Sequence, residues 1–285
     1  MDDRLYPFSP KKFVTKSGHT LSYLDEGQGP VVVMVHGNPT WSFYYRNLTA
    51  LLKKNFRVIV PDHLGCGLSD KPQDYPYRLH DHIENLEDLL ADLQVKETSL
   101  VVHDWGGAIG LGYGGRHPKA ITSLVILNTA AFPSSKIPLR ISLCRIPILG
   151  ELLVRGLNGF AWPATFMAVS KPMSPEVKKG FLAPYGNWHD RIATHRFVKD
   201  IPMEQSHISW STLVQVEEGL AHFKDTPMFI LWGGKDFCFN DYYFNQWRKR
   251  FPKAAYKYFD DAGHYLLEDK HGEIEPLIAE FLKRS

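Results

Sequence analysis

The feature that most constrains this chain is a series of short runs that are apolar at every position. They are Val31–Val35, Val58–Val60, Leu100–Val102, Leu124–Leu127 and Met228–Leu231, each bounded by Gly, Pro, Asp or His. Runs of this length without polar alternation fit strands covered on both faces, as in parallel sheets. Between them, about Ser42–Lys54, about Leu79–Leu93 and Gly107–Arg116 read as helices. Strands alternating with helices predict an α/β fold, a mostly parallel doubly wound sheet with right-handed crossovers. Ahead of the first run, Phe13–Ser17 and Leu21–Asp25 alternate like a hairpin that extends the sheet antiparallel. After the last, a helix near Tyr242–Arg250, a strand near Ala255–Phe259 and a helix near Ile274–Lys283 complete the pattern.

The stretch from about Ala131 to Gln215 breaks this rhythm. It carries many prolines, Pro133, Pro138, Pro147 and Pro163 among them, and many aromatics, but no convincing strand. Short helices punctuated by proline and inserted between two strands of one sheet read as a lid. The expected division is therefore a core of residues 1–130 and 216–285 with a helical cap at 131–215. A chain of 285 residues is long enough to bury such a core without covalent staples.

Charge and cysteines narrow the class. Thirty-three Lys+Arg against 31 Asp+Glu leave a net +2 with no obvious basic stretch. Nucleic-acid and membrane-surface binding therefore gain no electrostatic support. No apolar run approaches the length of a spanning helix, and Met1–Lys12 reads as polar rather than as a signal peptide. Cys66, Cys144 and Cys238 are far apart with no CxxC, which argues for a reducing, cytoplasmic setting and against a zinc site.

The chemistry concentrates where strands end. In Leu100-Val101-Val102-His103-Asp104-Trp105-Gly106-Gly107 a buried strand meets a polar residue, and glycines then open a helix. That is the pattern of a nucleophile elbow, with Asp104 displayed above the sheet. A carboxylate needs no deprotonation to attack carbon, and it forms an ester when it does. The competing reading is that Asp104 only caps the helix. Val35-His36-Gly37-Asn38-Pro39-Thr40-Trp41 follows the first long strand, where Gly37 lets the backbone turn and the next N–H face a ligand. Leu231-Trp232-Gly233-Gly234-Lys235-Asp236 ends a strand on an acid, and Asp260-Asp261-Ala262-Gly263-His264 ends the last on a histidine. Nucleophile, acid, histidine is the chain order that this fold uses.

With these residues the chain resembles the α/β-hydrolase family over essentially its whole length, and more narrowly the haloalkane dehalogenases. The resemblance implies Asp104 as nucleophile, His264 as base and Asp236 as the acid orienting it. It further implies Asn38 and Trp105 as side-chain donors to the departing halide, and their backbone N–H groups as the oxyanion hole. The Asn plus Trp pair, with the acid after the Trp-Gly-Gly strand, is similar to the third dehalogenase subfamily and brings an expectation of self-association. Val102 departs from the glycine that serine hydrolases carry at that position. A nearer resemblance, to the β-lactone decarboxylases of long-chain olefin biosynthesis, rests on four stretches. These are Pro61-Asp62-His63-Leu64-Gly65-Cys66-Gly67-Leu68-Ser69-Asp70, Leu127-Asn128-Thr129-Ala130-Ala131-Phe132-Pro133, Arg196-Phe197-Val198-Lys199-Asp200-Ile201-Pro202 and Asp261–Asp269.

The expected function is thus cleavage of carbon–halogen bonds through an aspartyl ester, giving alcohol and halide. Decarboxylation of a cis-3-alkyl-4-alkyl β-lactone is the alternative, and epoxide hydrolysis, with Tyr185 as a lid acid, a lesser one. The substrate is expected to be small and apolar, with no metal and no organic cofactor. A pure binding role is disfavoured by the intact triad. His80 and His82, two apart, are read as a solvated helix start. Cys66 in its Gly-Cys-Gly turn is not read as a nucleophile, and Asn47-Leu48-Thr49 is read as a chance sequon inside a helix. Of the lid aromatics Phe160, Trp162, Phe166, Phe181, Tyr185 and Trp188, about two are expected to face the cavity and the rest to be core.

Overall fold

The computed structural model describes residues 4–285. Eight strands form one sheet: β1 Lys11–Val14, β2 Thr20–Glu26, β3 Val31–Val35, β4 Arg57–Pro61, β5 Thr98–Asp104, β6 Ile121–Thr129, β7 Met228–Gly233 and β8 Ala255–Phe259. Their spatial order is β1-β2-β4-β3-β5-β6-β7-β8, with β2 antiparallel to both of its neighbours, β1 and β4, and all other neighbouring pairs parallel. Each apolar run lies in a strand, and every residue of central β5 is buried. That is what helices on both faces require.

On the core, α1 (Arg46–Leu52), α2 (Leu79–Asp92) and α3 (Trp105–Arg116) alternate with the strands. Between β6 and β7 the chain is helical. It runs through α4 (Leu139–Arg145), α5 (Leu149–Glu151), α6 (Ala161–Met167), α7 (Pro175–Leu182), α8 (Ile192–Lys199) and α9 (Trp210–Gly219). α10 (Asp241–Arg250), α11 (Leu266–Asp269) and α12 (Ile274–Arg284) close the fold. The boundaries of the cap remain our proposal, since residue 215 falls inside α9 and α9 packs along α3. Among the described residues, no helix is long and apolar enough to cross a membrane.

Two apolar layers sandwich the sheet. One gathers α2 and α3 around Leu86, Ile109 and Phe223. The other gathers α1 and α12 around Leu48, Val101 and Ile278. This arrangement raises the carboxyl ends of β3, β5, β7 and β8 to one edge, beneath the cap, where open α/β sheets build their sites.

Candidate active site

At the end of β5 the chain turns sharply into α3, and Asp104 takes φ +52°. A non-glycine residue in that region is rare and costs backbone energy, so the surroundings must hold it there. They do so closely. Thr129 donates its hydroxyl to the Asp104 carbonyl, and Gly106 lies so near the Val35 carbonyl that a side chain there would overlap it. The helix-capping alternative fails, because no side-chain cap hydrogen bond is made at Asp104. Its carboxylate instead faces the end of β3, where the Asn38 N–H donates to Oδ1 at 2.7 Å. Gly37 proves necessary for a different reason than the sequence suggested. It does not adopt a left-handed φ; a Cβ on it would strike the Asp104 side chain.

His264 stands on the other side of Asp104, its Nε2 3.5 Å from Oδ2 and its Nδ1 donating to Asp236 Oδ2 at 2.7 Å. Asp236 is buried and held in turn by the N–H groups of Cys238 (2.7 Å) and Phe239 (3.0 Å), which donate to its Oδ1. Burial alone would pull the His264 pKa down, but the charges of Asp236 and Asp104 outweigh it and raise it to about 10. Burial would raise the Asp104 pKa, yet the hydrogen bond and charge of His264 leave it below the ordinary value. The resting pair is therefore imidazolium and carboxylate. His103 donates from Nε2 to the His264 carbonyl at 2.8 Å. Burial, reinforced by the charge on His264, drives its own pKa down to about 3 and keeps it neutral.

Asp104 and His264 lie at the floor of a cavity of about 370 Å³ whose walls include Phe132, Ile141, Phe160, Met167, Leu213 and Phe239. Asn38 and Trp105 both line it. One N–H of the Asn38 amide donates to the Thr194 carbonyl of α8 at 3.1 Å; among the described residues the second N–H has no partner, and the buried Asn38 Oδ1 has none either. The Trp105 indole leans on Phe197 of the same helix, ring centres 5.3 Å apart. Among the described residues, no acceptor takes its N–H. Of the five site residues read from sequence, Asn38, Asp104, Trp105 and His264 line this cavity, and Asp236 lies behind His264 on its Nδ1.

Three contributors escaped the sequence. Thr194 anchors Asn38 through its backbone carbonyl, which no side-chain pattern signals. Phe197 backs Trp105. Asp269 accepts hydrogen bonds from the N–H groups of Gly263, Ser170 and Lys171, tying the His264 loop to the cap. The run Gly263–Asp269 contained that acid, but only the fold shows where it reaches. Some expectations are corrected. His82 is not solvated: it is buried and stacked on Phe197, while His80, on another face, is exposed and pairs with Glu84. Of the six lid aromatics singled out from sequence, Phe160 alone lines the cavity; Phe181 and Tyr185 are core, and Trp162, Phe166 and Trp188 are exposed. Tyr185 reaches the Thr40 carbonyl instead of the cavity, so it is not placed to serve as an epoxide-opening acid. Cys66 is fully buried, and burial raises its thiol pKa to about 12. Among the described residues, no group of three or more His, Cys, Asp or Glu is placed to hold a metal ion.

A strained carboxylate elbow, an Asp–His pair and a helical cap on this sheet define an α/β hydrolase, and the model of the alpha/beta hydrolase fold matches residues 30–271. The chain belongs to that family. More particularly, it is 47% identical to the cis-3-alkyl-4-alkyloxetan-2-one decarboxylase of Shewanella oneidensis, across 99% of this chain and 91% of that protein. It is 43% identical to the protein of the same name from Xanthomonas campestris pv. campestris, across 98% of each. Haloalkane dehalogenase 2 of Mycobacterium bovis is more distant, 27% identical across 98% of this chain and 96% of that protein. The crystal structure of haloalkane dehalogenase DbeA from Bradyrhizobium elkani shares the fold, with a TM-score of 0.87 at 24% identity, covering 98% of this chain and 100% of that one. Of these proteins, the two decarboxylases are more alike to this chain than the dehalogenases, contrary to the expectation of carbon–halogen cleavage.

Proposed function

We propose that this chain decarboxylates cis-3,4-dialkyl β-lactones, with Asp104 as nucleophile. The reading is carried by full-length likeness, at 47% and 43%, to two proteins named for that reaction. The site's chemistry supports it. Asp104 Oδ2 attacks the ring carbon C4 from the face opposite the ring oxygen. The C4–O bond breaks, and the former carbonyl becomes a free carboxylate. Trp105, through its indole N–H, and Asn38, through its second amide N–H, receive that anion in a water-poor cavity, where such donors act most strongly.

Backside attack leaves the Asp104 ester antiparallel to the new carboxylate across the C3–C4 bond. The C3–carboxylate bond then breaks, its electron pair forms the C3=C4 double bond, and the C4–Oδ2 bond opens. Carbon dioxide, a cis-alkene and free Asp104 result. No water or proton is consumed. His264, held as imidazolium by Asp236, stabilises Asp104 as the leaving carboxylate and stays protonated throughout.

The same residues would serve carbon–halogen cleavage, but there His264 must surrender its proton to activate water against the ester. The two routes differ in the fate of water oxygen. Purified enzyme is offered a cis-3,4-dialkyl β-lactone and, separately, 1-iodobutane or 1,2-dibromoethane, in ¹⁸O-water. The expected result is alkene and carbon dioxide with no ¹⁸O in the Asp104 carboxylate, and faster initial rates on the lactone. Faster halide release, with ¹⁸O entering Asp104, would overturn the proposal.

A further inference from the structure

The outer surface of the cap is unusually apolar. Leu139, Ile148 and Leu157 are each at least three-quarters exposed, and Leu152, Trp162 and Phe166 about half. A patch of this kind on a single chain marks a surface that meets something else. Its tip is the run Ile146-Pro147-Ile148-Leu149, four exposed residues without one polar side chain. Ile148 also takes φ +63°, a conformation that β-branched residues almost never adopt. The Ile148 carbonyl accepts the Leu152 N–H, but its side chain is turned outward and buries little against the isolated fold.

Local charge identifies the partner. The near-neutral total conceals that residues 131–169 hold four bases, Lys136, Arg140, Arg145 and Arg155, and one acid, Glu151. Glu151 is already paired with Arg155. Lys136 and Arg140 are exposed and flank the exposed Leu139 in the chain, at the start of the same face. Apolar anchors, interfacial tryptophans and flanking cations are the elements with which a protein lies on an anionic bilayer. A lipid surface also suits a tip that offers no hydrogen-bonding side chains, whereas protein interfaces are usually registered by several.

The patch is continuous with the catalytic cavity. Ile141 and Cys144 of α4, with Phe160, Ala164 and Met167 of α6 and the turn before it, line the cavity from the other side of the same elements. We propose that the α4–α6 face of the cap docks on anionic lipid membrane with Ile148 and Leu149 inserted, placing the cavity wall against the bilayer. Delivery of a long-chain substrate by this route rests on the dialkyl-lactone reading; the docking itself does not.

The test is flotation of the purified full chain with vesicles of phosphatidylcholine containing phosphatidylglycerol, and with phosphatidylcholine alone. Wild type is expected to float with the anionic vesicles and less with the neutral ones. The double variant Ile148→Asp/Leu149→Asp should lose about a hundredfold or more in partitioning. Ile148→Gly removes the anchor but suits the left-handed backbone, so it should keep or raise the melting temperature while binding falls about tenfold. None of these positions lines the cavity, so turnover of a short, water-soluble β-lactone should stay within about twofold of wild type. Wild type that fails to float, or variants that float equally well, overturn the proposal. So does an oligomer that the Asp variants dissociate while no vesicle binding is seen, because a second copy would then own the face. Failure of the lactone assay in every protein, with flotation intact, would sink the functional reading and leave the docking standing.

Discussion

Replacing Asp236 by asparagine tests the electrostatic core of this site. Asp236 Oδ2 accepts from His264 Nδ1 at 2.7 Å, while Oδ1 accepts two backbone N–H groups. Asn can keep Oδ1 as an acceptor for those two and preserve the loop, but it turns an NH₂ toward His264 and removes the charge. At 2.7 Å and an effective dielectric constant of about 20, that charge contributes about 6 kcal/mol to the imidazolium. Asp104, at 3.5 Å from Nε2, contributes about 5 kcal/mol on the same footing. Either alone is comparable to the opposing cost of burial, so losing Asp236 should return the His264 pKa to its ordinary range or below. Histidine ¹⁵N chemical shifts followed against pH would read this directly. In turnover, a neutral His264 no longer stabilises the departing Asp104 carboxylate, and the rate at neutral pH should fall about 10²–10⁴-fold. Substrate affinity should change little. If His264 stays protonated at pH 8 in Asp236→Asn, or turnover remains within threefold of wild type, the imidazolium does not have the role given to it.

Three further outcomes follow from the same geometry. Trp105→Phe and Asn38→Ala should each lower the single-turnover rate about 10²–10³-fold with smaller effects on affinity; near-wild-type rates would show that the pair only walls the cavity. His264→Gln should still let Asp104 be alkylated but stall the next step, so intact-mass spectrometry should find a stable adduct with lactone or bromoalkane, and none would refute the division of roles. Because folding raises the His264 pKa from 6.5 to about 10, its stabilising contribution is complete below pH 6.5 and is lost as pH rises through 10. The melting temperature of wild type should therefore fall more between pH 7 and pH 10 than that of His264→Gln, and parallel curves would contradict the pairing.

The parts legible in the sequence were those governed by local rules. An all-apolar run such as Leu100–Val102 has few fates other than a strand buried on both faces, and Asp-Trp-Gly-Gly after it states where the elbow must be. Asp104, Asp236 and His264 could be named because each follows a strand, and strand ends in this topology converge. Tertiary structure alone decided the rest. Whether a cap aromatic faces cavity, core or solvent depends on how short helices stack across proline breaks, which is why Phe160 turned inward and Trp162 outward. Gly37 was recognisable as required, but its reason, room for the Asp104 side chain, exists only once β3 and β5 are adjacent. The Thr194 carbonyl and the Asp269 carboxylate act through long-range contacts to Asn38 and Ser170, and no pattern along the chain encodes such an acceptor's eventual partner. The substrate likewise belongs to the whole surface, because the cavity and the apolar face above it are assembled from segments that meet only in the fold.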